Sequence, residues 1–190
     1  MGTNSVHKIM SVAQELVQQN GYNAFSFHDI ARKLGIKSAS IHYYFPTKSD
    51  LGKALIHQYR MEVDDKLKLI DTTSNSTIEK LDHFSELFLN CLQSKNKMCL
   101  CGMLASDINT MPNEIRDEVR LFFIGCEKWL AETLRAGQQM GEIRKANHPE
   151  ILARFILAGM EGAMLSARSF EDPERFNDIT SQIFSVIRQS

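Results

Sequence analysis

The stretch FSFHDIARKLGIKSASIHYYFPTKSDL, residues 25–51, contains the most specific structural pattern in this 190-residue chain. Its apolar spacing predicts a short helix over Phe27–Leu34, followed by Gly35, which favours a sharp turn. A second short helix is expected to follow Ser38 as its cap and to run to about Tyr44, because a serine hydroxyl can accept from the first turn. Two short helices that meet at a glycine are the pattern of a helix-turn-helix.

The residues around this motif supply helix boundaries and an outward face. Ser26 and Thr47 are placed to cap the helices that follow them, each with an aspartate, Asp29 or Asp50, three positions later. The outward positions of the second short helix have side chains that suit phosphates, base edges and sugars. These candidate DNA contacts are Lys37, Ser38, Ser40, His42, Tyr43 and Tyr44.

Helical periodicity continues through the rest of the chain and predicts an all-α fold. After a long fourth helix from about Lys48 to Leu69, the polar run 71–76 is expected to be a linker. Further helices are expected at about 77–92, 112–140, 148–169 and 173–189, with a short apolar segment at 99–108. No strand is expected.

Composition indicates a soluble, cytoplasmic protein. The longest apolar runs fall short of the roughly 18 residues of a membrane span, and the N-terminus resembles no export signal. The four cysteines are therefore expected to be reduced thiols. The net charge of −1 conceals an asymmetry, because residues 1–60 carry seven bases against three acids. A basic first segment fits a polyanionic partner such as nucleic acid.

No catalytic signature supports an enzyme, since the chain lacks a Gly-rich phosphate loop, a His-Glu-x-x-His pair and a Gly-x-Ser-x-Gly elbow. No cofactor is expected either. Cys99 and Cys101 have one residue between them and no matching His, so a metal site is not expected.

The quoted stretch resembles the signature of TetR-family regulators, in which Tyr-x-x-Phe-x-x-Lys and a Leu follow the helix-turn-helix. Phe45, Lys48 and Leu51 match that spacing, whereas His42 stands where the Tyr is usual. The resemblance implies a DNA-binding domain at 1–50 and a ligand-binding and dimerisation domain at 51–190. It also implies that the second short helix enters the major groove, with Lys48 and Tyr44 on the flanking phosphates.

By the same resemblance, the last two helices form the interface of a homodimer that binds a palindromic operator. Small and apolar residues at helical spacing fit that role or simple packing within one subunit. The candidate interface residues are Phe155, Gly159, Gly162, Ala163, Ile179, Ile183, Phe184 and Ile187.

An effector pocket is likewise implied by the resemblance, although periodicity alone favours ordinary core packing for each single candidate residue. The candidates are apolar or sulfur-containing side chains spaced along helices: Phe84, Phe88, Cys91, Met103, Phe122, Cys126, Trp129 and Met160. The chain is thus predicted to be a dimeric repressor that a small molecule releases from its operator. A DNA-binding protein without effector control is the alternative.

The run KMCLCGMLASDINTMP, residues 97–112, resembles a subset of TetR-like proteins with Cys-Leu-Cys-Gly-Met-Leu at this point. Cys99 and Cys101 fit small packing residues beside a turn. They also fit a thiol sensor of oxidants or electrophiles, since Lys95 and Lys97 are placed to lower a thiol pKa. Both interpretations stay open at the level of sequence.

Overall fold

The computed structural model describes residues 2–145 and 148–189, and these residues are almost entirely helical. The helices are α1 (Gly2–Asn20), α2 (Phe27–Leu34), α3 (Ser38–Tyr44), α4 (Lys48–Thr73), α5 (Thr77–Gln93), α6 (Leu100–Ser106), α7 (Asn113–Met140), α8 (Pro149–Ser169) and α9 (Glu174–Ile187). A 3₁₀ turn lies at Ile108–Thr110, and one isolated β-bridge joins Ile143 to Arg188. The prediction of an all-α fold is confirmed.

Two helix boundaries differ from the sequence prediction. Ser38 does not cap α3, because Lys37 is the last residue with extended backbone and Ser38 already lies inside the helix. The fourth helix continues to Thr73, into the run expected to be a linker. The hydroxyls of Thr72 and Thr73 each donate to the carbonyl of Leu69 at 2.9 Å, which satisfies a carbonyl of the last turn.

The chain divides into two compact units, of which the first comprises residues 1–61 and 99–122. Within its described residues, α1 packs on α2 and α6, and α2 packs on α3. Its core contains Ile9, Ala13, Val17, Ile30, Ile41, Leu51, Leu55, Ile56, Leu104 and Ile115. Asn23 donates to Thr110 Oγ1 at 3.1 Å, so the start of the helix-turn-helix is tied to the segment after α6.

The second unit comprises residues 62–98 and 123–190. In its described part, α8 packs along α9, and both contact α5. Its core contains Leu81, Phe84, Leu130, Leu134, Ile156, Met160, Met164 and Phe176. A side chain of α7 fixes the end of α4, because Trp129 Nε1 donates to Asp71 Oδ2 at 2.9 Å.

Within residues 2–145 and 148–189, no helix combines the length and the apolar character that a bilayer span requires.

Candidate DNA interface

Local hydrogen bonds fix both ends of α2. Asp29 N donates to Ser26 Oγ, while Ser26 N donates to Asp29 Oδ2 at 2.9 Å, which forms a reciprocal capping box. These bonds from Ser26 hold the pKa of the Asp29 carboxyl below its usual value. At the other end, Gly35 takes a left-handed conformation with φ of 66° and donates to the carbonyl of Ala31. The capping predicted for Ser26 is confirmed.

Helix α3 has one buried face and one exposed face. Ile41 is fully buried and Phe45, just after the helix, is nearly so. On the other side, the Tyr43 side chain is 82% exposed. Of the remaining candidate contacts, Lys37, Ser40 and His42 are exposed, whereas Ser38 and Tyr44 are half-buried. The buried face of the helix therefore packs on the core, while its other face exposes polar and aromatic groups to solvent.

Two aromatic contacts order the exposed face of α3. The Tyr43 and Tyr44 rings meet edge to face with their centroids 5.0 Å apart. The His42 ring packs against Phe27 of α2 at 4.7 Å, and His42 Nδ1 lies 3.2 Å from the carbonyl oxygen of Pro46. These side chains are thus held before any partner arrives, which lowers the entropy lost on binding.

The start of α4 carries the Thr47 cap and the candidate phosphate ligand Lys48. Thr47 N donates to Asp50 Oδ2 at 3.0 Å, and Asp50 N donates to Thr47 Oγ1 at 3.1 Å, so this predicted capping box is also confirmed. The Lys48 ammonium donates to the carbonyl of Phe25 and lies 4.3 Å from the centroid of that ring. Burial holds the pKa of Lys48 below its usual value.

Sequence analysis missed three aromatic residues that position this surface. Tyr22 and Phe25 flank the Lys48 ammonium, and the Tyr22 hydroxyl donates to the Lys48 carbonyl at 2.8 Å. The Phe27 ring packs edge to face against the His42 ring. Their signal in the sequence is three aromatic residues within six positions, Tyr22 and Phe25 just before α2 and Phe27 at its first position.

Comparison with known proteins places this geometry among transcription regulators. A model of "Bacterial regulatory proteins, tetR family" matches residues 9–55, and one of "Tetracyclin repressor-like, C-terminal domain" matches residues 77–183. A TetR-family regulator from Agrobacterium tumefaciens superposes with a TM-score of 0.95 at 32% identity, covering 99% of this chain and all of that one. A TetR regulator from Legionella pneumophila gives 0.88 at 37% identity over 95% of each chain. The repressor DhaR of Mycobacterium is 20% identical over 90% of this chain and 86% of its own length.

The chain belongs to the tetR family of bacterial regulatory proteins. It is accordingly a sequence-specific DNA-binding transcriptional regulator and not an enzyme. Repression under the control of an effector is typical of this family.

In this TetR-family chain the candidate pocket residues are distributed over both compact units. Met103 and Phe122 belong to the first, where Phe122 packs 5.6 Å from the Tyr59 ring. The others belong to the second, where the Phe84 ring lies 5.3 Å from both Phe88 and Trp129. Those in the second unit are all buried except the half-buried Cys91: Phe84, Phe88, Cys91, Cys126, Trp129 and Met160.

Three clefts of the second unit are lined by residues other than these candidates, several of them charged. One cleft of about 360 Å³ lies along α7 and α8 and includes Ile124, Glu127, Arg135, Glu150 and Arg154. Ion pairs join Arg135 to Glu150 and Arg154 to Glu127 at its rim. This cleft has charged residues on both helices and is lined by none of the candidate pocket residues.

Three of the four thiols, those of Cys99, Cys101 and Cys126, are buried. Cys99 and Cys101 are both buried, and Cys99 Sγ accepts from Gly102 N at 3.5 Å as the cap of α6. The Tyr59 hydroxyl lies 3.9 Å from the same sulfur. In the second unit, burial raises the pKa of Cys126 to about 12, with the carboxylates of Asp64 and other acids adding to the effect. This environment favours packing and capping over thiolate chemistry.

The candidate interface residues separate into two groups. Ala163, Ile183, Phe184 and Ile187 are buried within the subunit, because α8 and α9 pack closely. A side chain at Gly159 would place its Cβ 2.5 Å from Ile183 Cδ1, so this glycine permits the close approach. Gly159 and Ile179 are half-buried, whereas Phe155 and Gly162 are exposed. The exposed apolar residues of α8 also include Ile151 and Leu165, which sequence analysis did not include in the interface.

Proposed function

We propose that this chain is a homodimeric repressor that binds a palindromic operator and is released by a small-molecule effector. The observation that carries the proposal is the two-faced α3, buried at Ile41 and exposed at Tyr43, between two capped helices. Such a helix fits the major groove. Lys37, just before α3, and Lys48, at the start of α4, provide positive charge for phosphates. The site of action would be the bacterial cytoplasm, where the DNA is.

The proposed DNA contacts are those of α3 and the start of α4. Lys37, Ser40, His42 and Tyr43 are exposed and would reach base edges or phosphates. Ser38 and Tyr44 are half-buried and would contact the backbone at the edge of the groove. Residues 1–50 would form the DNA-binding domain, and residues 51–190 the ligand-binding and dimerisation domain.

Dimerisation is proposed through the exposed apolar residues of α8. Phe155 is 51% exposed and Leu165 is 57% exposed. With Ile151 and Gly162 they form the α8 face, a row of apolar and small residues that a second copy would cover. One helix-turn-helix offers few phosphate contacts, so two copies are needed for useful specificity.

The effector site is proposed within the helical body, against the aromatic cluster of Phe84, Phe88 and Trp129. These rings are packed against one another, so a ligand must separate them or occupy an adjoining space. The effector can shift the operator affinity only by as much as its own affinity differs between the two states of the protein. The Cys-Leu-Cys-Gly-Met-Leu run is proposed to mark a subset of the family.

Selection from a pool of random duplexes tests the proposal. The purified protein is incubated with the pool, and bound sequences are recovered and read. A strongly enriched inverted repeat with half-sites about one helical turn apart is the expected result. Tight, salt-sensitive binding to every sequence without enrichment would overturn the specific-repressor proposal.

The double variant Cys99→Ser, Cys101→Ser separates a reversible ligand from a thiol sensor. Because both thiols are buried, we expect the variant to release the operator with the same effector as the wild type. Loss of release in the double variant, with operator affinity unchanged, would support the thiol sensor instead.

A further inference from the structure

His42 stands on the exposed side of α3, at the position where the family signature usually has a tyrosine. A tyrosine and a histidine differ in what they offer to DNA. A phenol hydroxyl donates and accepts at one atom, whereas a neutral imidazole has one donor nitrogen and one acceptor nitrogen. The function of His42 therefore depends on which nitrogen carries the proton.

The contact with Pro46 determines the tautomer. His42 Nδ1 lies 3.2 Å from the Pro46 carbonyl oxygen, and a carbonyl oxygen can only accept. Nδ1 must therefore carry the proton and donate. In the neutral ring, Nε2 is then left with a lone pair and is an acceptor.

The ring is also held in one orientation. Its centroid lies 4.7 Å from that of Phe27, with an interplanar angle of 65°, and Phe27 is itself buried. The Nδ1 edge faces Pro46, and Nε2 lies farther from the backbone on an exposed side chain. Among residues 2–145 and 148–189, no hydrogen-bond partner reaches Nε2.

We propose that His42 Nε2 reads an exocyclic amino group, adenine N6 or cytosine N4, in the major groove of the operator. These amino groups are the base-edge donors of that groove. A neutral Nε2 cannot donate to a phosphate oxygen, so this side chain specifies sequence rather than adding to backbone affinity. The inference rests on the proposed operator binding by α3 and adds to it the chemical identity of one recognised group.

The tautomer is tested in the free protein, without DNA. Long-range ¹H–¹⁵N correlation spectra distinguish a protonated from an unprotonated imidazole nitrogen, and His42→Asn identifies the signal of His42. The expected spectrum of the neutral ring shows a protonated Nδ1 and an unprotonated Nε2. The opposite assignment would overturn the proposal, because Nε2 would then be a donor.

Base reading is tested by selection from random duplexes, at a pH where that spectrum shows the neutral ring. In His42→Asn, the amide of the introduced side chain can still donate to Pro46 but is too short to replace Nε2. We expect the wild type to prefer one base pair at one position of each half-site by about tenfold, and to bind about tenfold less tightly when purine or pyrimidin-2-one, which lack the exocyclic amino group, replaces the adenine or cytosine of that pair. In the variant this preference should fall to near unity while the other positions keep theirs.

His28→Asn is the matched control, an exposed histidine on α2 rather than on α3, and its enriched sequence should equal that of the wild type. An unchanged sequence in His42→Asn, beside an enriched inverted repeat in the wild type, would overturn the role of His42 alone. Absence of any enrichment in the wild type would overturn the proposed function, and base reading by His42 with it. Wild-type affinity that survives removal of this amino group from the preferred base pair would mean that His42 does not accept from it, and would also contradict the proposal.

Discussion

Lys48 shows how one residue combines a packing role with a binding role. Its ammonium lies between the Tyr22 and Phe25 rings, at 4.7 and 4.3 Å from their centroids, and donates to the Phe25 carbonyl. An ammonium has three donor hydrogens, so one protein hydrogen bond leaves capacity for a phosphate. The rings hold the group in place at the start of α4, where the helix dipole also favours an anion.

Lys48→Met is expected to weaken operator binding while leaving the fold intact. The methionine keeps an apolar stem over the two rings but removes the charge. Affinity should fall about tenfold at about 0.1 M salt, and the slope of log K against log salt should become shallower by roughly 1.8 for two subunits. Fluorescence anisotropy over a salt series measures both quantities. Lys66→Met, which removes an exposed lysine farther along α4, should leave the slope unchanged; an equal change in both variants would contradict the phosphate role of Lys48.

At the scale of the element, the helix-turn-helix depends on the Ser26–Asp29 capping box. The Asp29 carboxylate accepts from the Ser26 backbone and hydroxyl, and these bonds lower its pKa in the folded protein. The stabilisation by the charged form is therefore present above the ordinary carboxyl pKa of about 4, and it disappears as the pH falls through the lower folded-state pKa.

Asp29→Asn is expected to lower the Tm at neutral pH, with the difference from wild type shrinking as the solution is acidified below about pH 4. Thermal unfolding followed by circular dichroism over a pH series measures this. Asp178→Asn, an exposed carboxylate change in α9, is the control and should leave the Tm nearly unchanged at neutral pH. A Tm difference for Asp29→Asn that stays constant with pH would mean that the charge of the cap is unimportant.

Close helix packing at Gly52 permits α4 to lie against Tyr22 and Ile115. A Cβ at this position would lie 2.7 Å from Ile115 Cδ1 and 3.0 Å from Tyr22 Cε2. Overpacking opposes the gain in helix propensity, so Gly52→Ala should reduce the free energy of unfolding by a net of about 1–2 kcal/mol. Urea denaturation measures it. Gly125→Ala, whose nearest contact would be Asp64 Oδ1 at 3.8 Å, should instead add about 0.5–1 kcal/mol. A gain in both variants would show that Ile115 and Tyr22 adjust without strain.

At the scale of the whole molecule, the proposed dimer depends on the α8 face rather than on residues that pack inside the subunit. Replacing Phe155 disturbs little of the core, because half of this side chain is exposed. The buried Ile183 of α9, by contrast, packs against Gly159 of α8 inside the subunit. Its replacement would alter the stability of the subunit as well as dimerisation, and the two effects could not be separated.

Phe155→Glu is expected to convert the dimer to a monomer with unchanged helix content, because the buried charge opposes association. Analytical ultracentrifugation and circular dichroism measure these properties, and the affinity for an inverted repeat should fall at least about 100-fold with loss of the second half-site. Leu69→Glu changes an apolar residue of α4 that is 61% exposed and should remain dimeric. A dimer that survives Phe155→Glu would place the interface elsewhere.

Local patterns in the amino-acid sequence were enough to predict the helices, the turn at Gly35 and the caps at Ser26 and Thr47. These features depend on dihedral preferences and hydrogen bonds between residues at most four positions apart, and such interactions can be read along the chain. The presence of His42 where the family signature usually has a tyrosine can also be read from the sequence. Ser38 was misjudged as a cap because a one-residue difference in where the turn ends moves the cap to Lys37.

The surroundings of each of these side chains depend on tertiary contacts, which the sequence patterns do not show. The Lys48 ammonium meets a ring 26 positions earlier in the chain, and Asn23 meets Thr110 across 87 positions. Helical periodicity marks a residue as apolar and inward, yet it cannot say whether another helix of the same chain covers it. Ile183 of α9 and Phe155 of α8 both look like inward apolar residues in the sequence. In the structure α8 covers Ile183, whereas Phe155 lies on the side of α8 that remains half exposed. Such contacts depend on how closely two distant helices approach, which is fixed by the packing of the whole unit.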